Sequence, residues 1–152
     1  MNAITSQTHK AAQKDLVEAS LARYGDVVNP LRAAFPKTLA IYAFGSRING
    51  TADINSDLDL AILVAGYADP LQLWDLANLL TDPVGCSVDL LDMRAASTIM
   101  QYQILQTGCR LWGQEPDAGL FECFVLSEKT ALNSARADLM ADIQKQGSIY
   151  GR

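Results

Sequence analysis

The 152-residue sequence has a single histidine, His9, which excludes Ser-His-Asp and Cys-His nucleophile systems and histidine-rich metal sites. Its three cysteines, Cys86, Cys109 and Cys123, are odd in number and widely spaced, with no CxxC pair. Such a set supports neither a disulfide framework nor a structural zinc site, and the cysteines read as small buried hydrophobes. Any metal must then be held by oxygen, which selects a hard cation such as magnesium. Long apolar runs are missing too: none reaches about 18 residues, so no segment is expected to span a membrane. The opening stretch MNAITSQTHKAAQK has no apolar region of signal-peptide type, and the expected location is cytoplasmic. Basic clusters are absent, because the twelve Lys and Arg residues are scattered singly and the net charge is −5. With nothing to neutralise a phosphate backbone, direct nucleic-acid binding is not expected. A nucleotide whose charge is carried by metal ions stays compatible.

What is present describes one ordinary globular domain. Hydrophobic residues make up 49% of the chain, a fraction able to build one real core at this length. Thr8 is placed to cap a helix running to about Tyr24, with Gly25 as its stop. A second helical stretch, 26–35, contains Pro30, which only a first turn tolerates. TLAIYAF, residues 38–44, is apolar and β-favouring, and DLDLAILV, residues 57–64, reads as a second buried strand. Residues 69–82 carry apolar side chains at helical spacing with Pro70 in the first turn, ended by Pro83 and Gly85. A third strand is expected at 86–93, a helix at about 95–106, a short apolar stretch at 110–112, and a long or broken helix at about 118–145. Strands separated by helices imply an α+β (α/β-type) fold, a small mixed sheet flanked by helices with helical N- and C-terminal extensions. The expected organisation is a single domain over 1–152, its core at about 36–115.

GSRINGTADINSDLDLAIL, residues 45–63, combines a glycine-serine turn with two aspartates inside a buried strand. Side chains alternate faces along a strand, so Asp57 and Asp59 point one way while Leu58, Leu60, Ile62 and Val64 point into a core. Carboxylates at such a place are costly unless their charge is cancelled, and a divalent cation between them does so. Asp89 in SVDLLD is the candidate third carboxylate, and Asp92 falls on the opposite face as its decoy. Gly45 permits close backbone approach to a ligand, Ser46 offers a hydroxyl and an N–H to a phosphate oxygen, and Arg47 adds a positive fork. Taken alone, Gly45-Ser46 reads as a turn and helix cap, Asp57 as a solvated strand start and Arg47 as half of a surface ion pair. Their spacing, with ten residues between Ser46 and Asp57, outlines a nucleoside-triphosphate site.

GSR followed by Gly50 and SDLDL resembles the nucleotidyltransferases of the DNA polymerase β superfamily, whose signature is GS-x10-DxD. The short chain looks like the minimal nucleotidyltransferase (MNT) type. The resemblance implies that Asp57, Asp59 and Asp89 are catalytic and bind metal, two Mg²⁺ ions in all. It implies that Gly45, Ser46 and Arg47 bind the phosphates of ATP, and that AMP is transferred to a hydroxyl with release of pyrophosphate. MNT proteins are typically partnered with HEPN ribonuclease toxins, so a cognate HEPN-type toxin in a hetero-oligomer is the implied partner. The implied role is that of an antitoxin that adenylylates a tyrosine of the toxin. Two alternatives stand beside it: a non-catalytic binding antitoxin with a vestigial nucleotide site, and a small-molecule nucleotidyltransferase of antibiotic type. The latter needs an acidic pocket, for which Glu122 and Glu128 are the nearby candidates. In the C-terminal helix, Phe121, Phe124, Val125, Leu132, Ala135, Leu139 and Ile143 recur at helical spacing, and most are expected to pack on the chain's own sheet. QKQGSIYGR is expected to be a flexible tail, with Tyr150 a conceivable self-modification site.

Overall fold

TLAIYAF lacks the polar alternation of a half-solvated strand, and it becomes an inner strand, β1 (Thr38–Phe44), with Ile41 and Ala43 fully buried on one face and Ala40 and Tyr42 on the other. The structure, a computed structural model, describes residues 27–50 and 56–150. The helix expected from Thr8 to Tyr24, and His9 with it, lie outside the described residues. β1 pairs antiparallel with β2 (Leu58–Val64) and with β4 (Cys109–Gly113), and β2 pairs parallel with β3 (Val88–Asp92). The described strands form a mixed sheet in the order β3-β2-β1-β4. The expected mixed sheet flanked by helices, with a helical C-terminal extension, is the observed one, and the expected N-terminal extension lies outside the described residues.

Helices cover both faces. α1 (Val28–Ala34) takes Pro30 in its first turn, where a missing N–H costs no helical bond. α2 (Ser46–Asn49) is a single turn after β1. α3 (Pro70–Val84) starts at Asp69, whose carboxylate accepts the Leu71 amide at 3.1 Å. Pro83 does not end α3 as expected but sits within its last turn, and the stop is Gly85 at φ +83°. Leu31, Leu73, Ala77, Leu80 and Val84 pack with Ile41, Leu60, Ile62 and Leu90 on one side of the sheet. The other side carries α4 (Thr98–Thr107) and α5 (Asp117–Tyr150), whose Ile104, Ala118, Phe121 and Val125 meet Tyr42, Ala61, Leu63 and Met93. α4 begins later than about residue 95 because Ser97 caps it, its hydroxyl accepting the Met100 amide at 3.2 Å. No described helix is long and apolar enough to cross a membrane.

Three further expectations fail. The cysteines are less buried than expected: Cys86 and Cys109 pack half-buried against the core, and Cys123 is exposed. The apolar stripe of α5 does not mostly pack on the sheet either. Only Phe121 and Val125 of the seven are buried, while Phe124, Leu139 and Ile143 are exposed. α5 is one continuous helix of 34 residues, longer than the sheet face beneath it, and only its first turns touch that face. The tail expected from residue 144 is helical as far as Tyr150.

Candidate active site

Phe44, the last residue of β1, is the register partner of Asp59 on β2. Gly45 then turns the chain at φ +81°, a conformation that L side chains rarely adopt. Space demands glycine as well, since a Cβ at this position would collide with the Asp59 carboxylate. The glycine-serine turn therefore lies directly against Asp59. Ser46 opens α2, and Gly50, at φ +85°, closes it. Arg47 Nε donates to the Ser56 carbonyl at 2.8 Å, which straps α2 to the residue just before Asp57.

On the far side of β2, parallel pairing sets Asp89 in register with Asp59. Register partners share a face of the sheet, so both carboxylates emerge beside each other, with Asp57 two residues before Asp59 on the same side. Leu58, Leu60, Ile62 and Val64 are buried on the opposite face, as their alternation requires. Asp59 is half-buried, and Asp57 and Asp89 are exposed. Burial raises the Asp59 pKa above its ordinary value, and the charges of Asp89 and Asp57 raise it further. A cation or a proton bound there relieves this field.

Among the described residues, no three acidic, histidine or cysteine side chains converge into a ready-made metal cage. The side chains that register and spacing set beside Asp59, those of Asp89 and Asp57, offer carboxylate oxygens, and both are exposed enough to turn toward an ion. In donor type and charge the set fits magnesium.

Asp92 is the structural carboxylate of the pair in β3. It is buried, and accepts the Ala68 amide at 2.9 Å and the Arg94 amide at 3.0 Å. It ties the loop after β2 to the end of β3 and takes no part in the aspartate cluster.

Two features escaped the sequence reading. Tyr42 donates to Glu122 at 2.9 Å, and Arg110 bridges Glu122 at 3.3 Å and Glu115 at 2.8 Å. Burial pushes the Tyr42 hydroxyl pKa up, and the adjacent Glu122 pushes it further. Tyr42, Arg110 and Glu122 line a cavity of about 260 Å³ in which Glu122 is paired with the other two, and Glu128, exposed on α5, does not line it, so the two expected glutamates are not brought together there. A tyrosine inside an otherwise apolar strand was the available signal, because a buried hydroxyl needs a partner. The second feature is a cleft of about 370 Å³ between α3 and β3, lined by Leu73, Trp74, Ala77, Asn78 and Asp89.

The family model described as Polymerase beta, Nucleotidyltransferase matches residues 28–117. The protein adenylyltransferase MntA of Shewanella oneidensis is 37% identical over 117 residues, covering 77% of this chain and 84% of that protein. A solved toxin–antitoxin structure with AMP-PNP superposes with a TM-score of 0.68 at 36% identity, covering 78% of this chain and 95% of that one. A second, a tri-AMPylated Shewanella oneidensis HEPN toxin in complex with MNT antitoxin, matches with a TM-score of 0.66 at 32% identity, over 82% of this chain and 98% of that one. By this match across most of the folded core and by these relatives, the chain belongs to the polymerase β nucleotidyltransferase family, in its minimal, MNT-type form.

Proposed function

We propose that this chain is an antitoxin that transfers AMP from ATP to a hydroxyl, a tyrosine of a cognate HEPN-type toxin, and thereby neutralises it. The observation that carries the reading is the seating of Asp59: Gly45 abuts its carboxylate on one side and Asp89 stands in register on the other. The naming of similar proteins as a protein adenylyltransferase and as the antitoxin bound to an AMPylated toxin supports the same reading.

Two magnesium ions, held by Asp57, Asp59 and Asp89, would supply charge neutralisation for the triphosphate. The chain's own residues do the rest. Gly45 has no side chain to keep the phosphates at a distance, and Ser46 presents its hydroxyl and amide to them. Arg47, already strapped to Ser56, holds the phosphate turn at a fixed distance from Asp57. Asp89, exposed at the rim, accepts the proton of the incoming tyrosine hydroxyl. The hydroxyl oxygen forms a bond to the α-phosphorus as the bond to the bridging oxygen breaks, and pyrophosphate departs. A single domain carries this chemistry, its core reaching beyond the expected 36–115 to Leu31 on α1 and Val125 on α5, and the exposed turns of α5 supply surface for the partner.

The test is the intact mass of both chains after mixing this protein with its HEPN-type partner, Mg²⁺ and ATP. The partner is expected to gain one AMP or a multiple, and the Asp57→Asn/Asp59→Asn double variant to add none. An unchanged partner mass, with its ribonuclease suppressed equally by both versions, would leave a binding antitoxin and overturn the proposal.

A further inference from the structure

β3 is an edge strand, and among the described residues no strand pairs with its outer side. The Leu58 amide donates to the Ser87 carbonyl and the Met93 amide to the Ile62 carbonyl, both at 2.9 Å. Backbone groups alternate sides along a strand, so Ser87, Asp89, Leu91 and Met93 address β2. Val88 and Leu90 therefore turn their N–H and C=O groups outward. VDLLD contains neither lysine nor proline, two of the devices that guard such edges, and the charge it exposes is that of Asp89.

The cleft between α3 and β3 runs along this same edge. Its wall is α3, where Trp74 is 67% exposed, a large amphipathic ring left in solvent. α3 packs with Leu90 on one face of the sheet, and Asp89 emerges on the other. The edge between them is thus apolar on one side and bears the proton-accepting carboxylate on the other.

We infer that the acceptor protein delivers its hydroxyl on an extended segment that adds to β3 as a further strand, with Trp74 as its apolar seat. The inference rests on the adenylyltransferase reading above and names how that site takes its substrate. A strand laid against β3 places one side chain directly opposite Asp89, on the same face, with Cβ atoms about 5 Å apart. Its two sequence neighbours point to the other face, where Trp74 and Leu73 lie. The segment is therefore a tyrosine between two apolar residues. Main-chain bonds to Val88 and Leu90 fix the register that holds the tyrosine opposite Asp89. A small-molecule acceptor makes no use of those outward amides.

Amide exchange measured by NMR on the full chain, alone and with its HEPN-type acceptor, reads the alternation directly. Val88 and Leu90 are expected to slow at least tenfold in the complex, while Asp89 and Leu91, already bonded to β2, stay unchanged. Val88→Pro removes one outward donor without touching the β2 ladder, a substitution edge strands tolerate. Trp74→Ala removes the seat. Each is expected to raise the KM for the acceptor at least tenfold and to leave ATP affinity, which also reports a folded site, at the wild-type value. Wild-type KM in both variants, or unaltered exchange at Val88 and Leu90, overturns the docking and leaves the adenylyltransferase reading standing. A wild-type chain that places no AMP on the acceptor refutes that reading, and the docking falls with it.

Discussion

Asp59 is the residue at which fold and chemistry conflict. Its raised pKa means that the folded chain binds the proton more tightly than the unfolded chain does. The stability it contributes is therefore complete below the ordinary carboxylate value of about 3.9 and is lost as pH rises through its elevated value. Once ionised above that value, beside two further carboxylates, it weakens the fold. Asp59→Asn should accordingly raise the melting temperature of the metal-free protein at pH 7 by a few degrees, the effect being kept small by solvent screening at a half-open site. The same variant should lose AMP transfer. Calorimetry at pH 7 against pH 4 checks the sign, since the gain should shrink in acid. Gly45 stands under the opposite constraint: Gly45→Ala strains a left-handed φ and drives a methyl into the Asp59 carboxylate. A loss of roughly 1–3 kcal/mol in urea unfolding is expected, together with loss of transfer. Asp92 separates structure from chemistry. Asp92→Ala strands the amides of Ala68 and Arg94 and should cost roughly 2–3 kcal/mol, with transfer per folded molecule unchanged, whereas Asp89→Ala should do the reverse.

At the scale of elements, the strands were legible because a buried strand must be apolar on both faces, and TLAIYAF and LDLAILV satisfy that with only the aspartate out of place. The loop glycines were legible for the same local reason, as positive φ selects them. Helix ends were less so. α3 continues through Pro83 because a proline in the last turn forfeits a single bond, and α4 waits for Ser97 because a hydroxyl cap outweighs the helix preference of Ala95 and Ala96. α5 defeated the reading for a different reason. Helical periodicity says that a face is apolar and is silent about what covers it, so a stripe exposed on this chain looks the same as a core stripe. Leu139, Met140 and Ile143 are more than half exposed, and beyond Leu132 every residue described to Gln146 is open to solvent. Truncation after Asn133 should change unfolding free energy by no more than about 0.5 kcal/mol. It should weaken binding to the HEPN-type partner at least tenfold, read by titration calorimetry. A large loss of stability instead would place those turns in this chain's own core.

For the whole molecule, the sequence carried the site more fully than the sheet. Residue type and spacing marked Gly45, Ser46, Asp57 and Asp59 as one group because one stretch of chain supplies them all, while the abutment of Gly45 on the Asp59 carboxylate comes from the pairing of β1 with β2. Spacing also distinguished Asp89 from Asp92, since an offset of three puts them on opposite faces. Strand order was beyond reach, being decided by which faces bury most area once all elements are present. That order leaves β3 at the edge, with Asp89 reachable from outside the sheet. Central to the account is transfer of the α-phosphoryl group, as AMP, to a protein hydroxyl at the aspartate face. Its most direct test is a pair of parallel reactions of the chain with its HEPN-type partner and Mg²⁺, one with ATP labelled at the α-phosphate and one at the γ-phosphate. The account predicts label on the partner from the α-position alone, and none from either with Asp59→Asn. Label from the γ-position, or none from either with the unaltered chain, would contradict it.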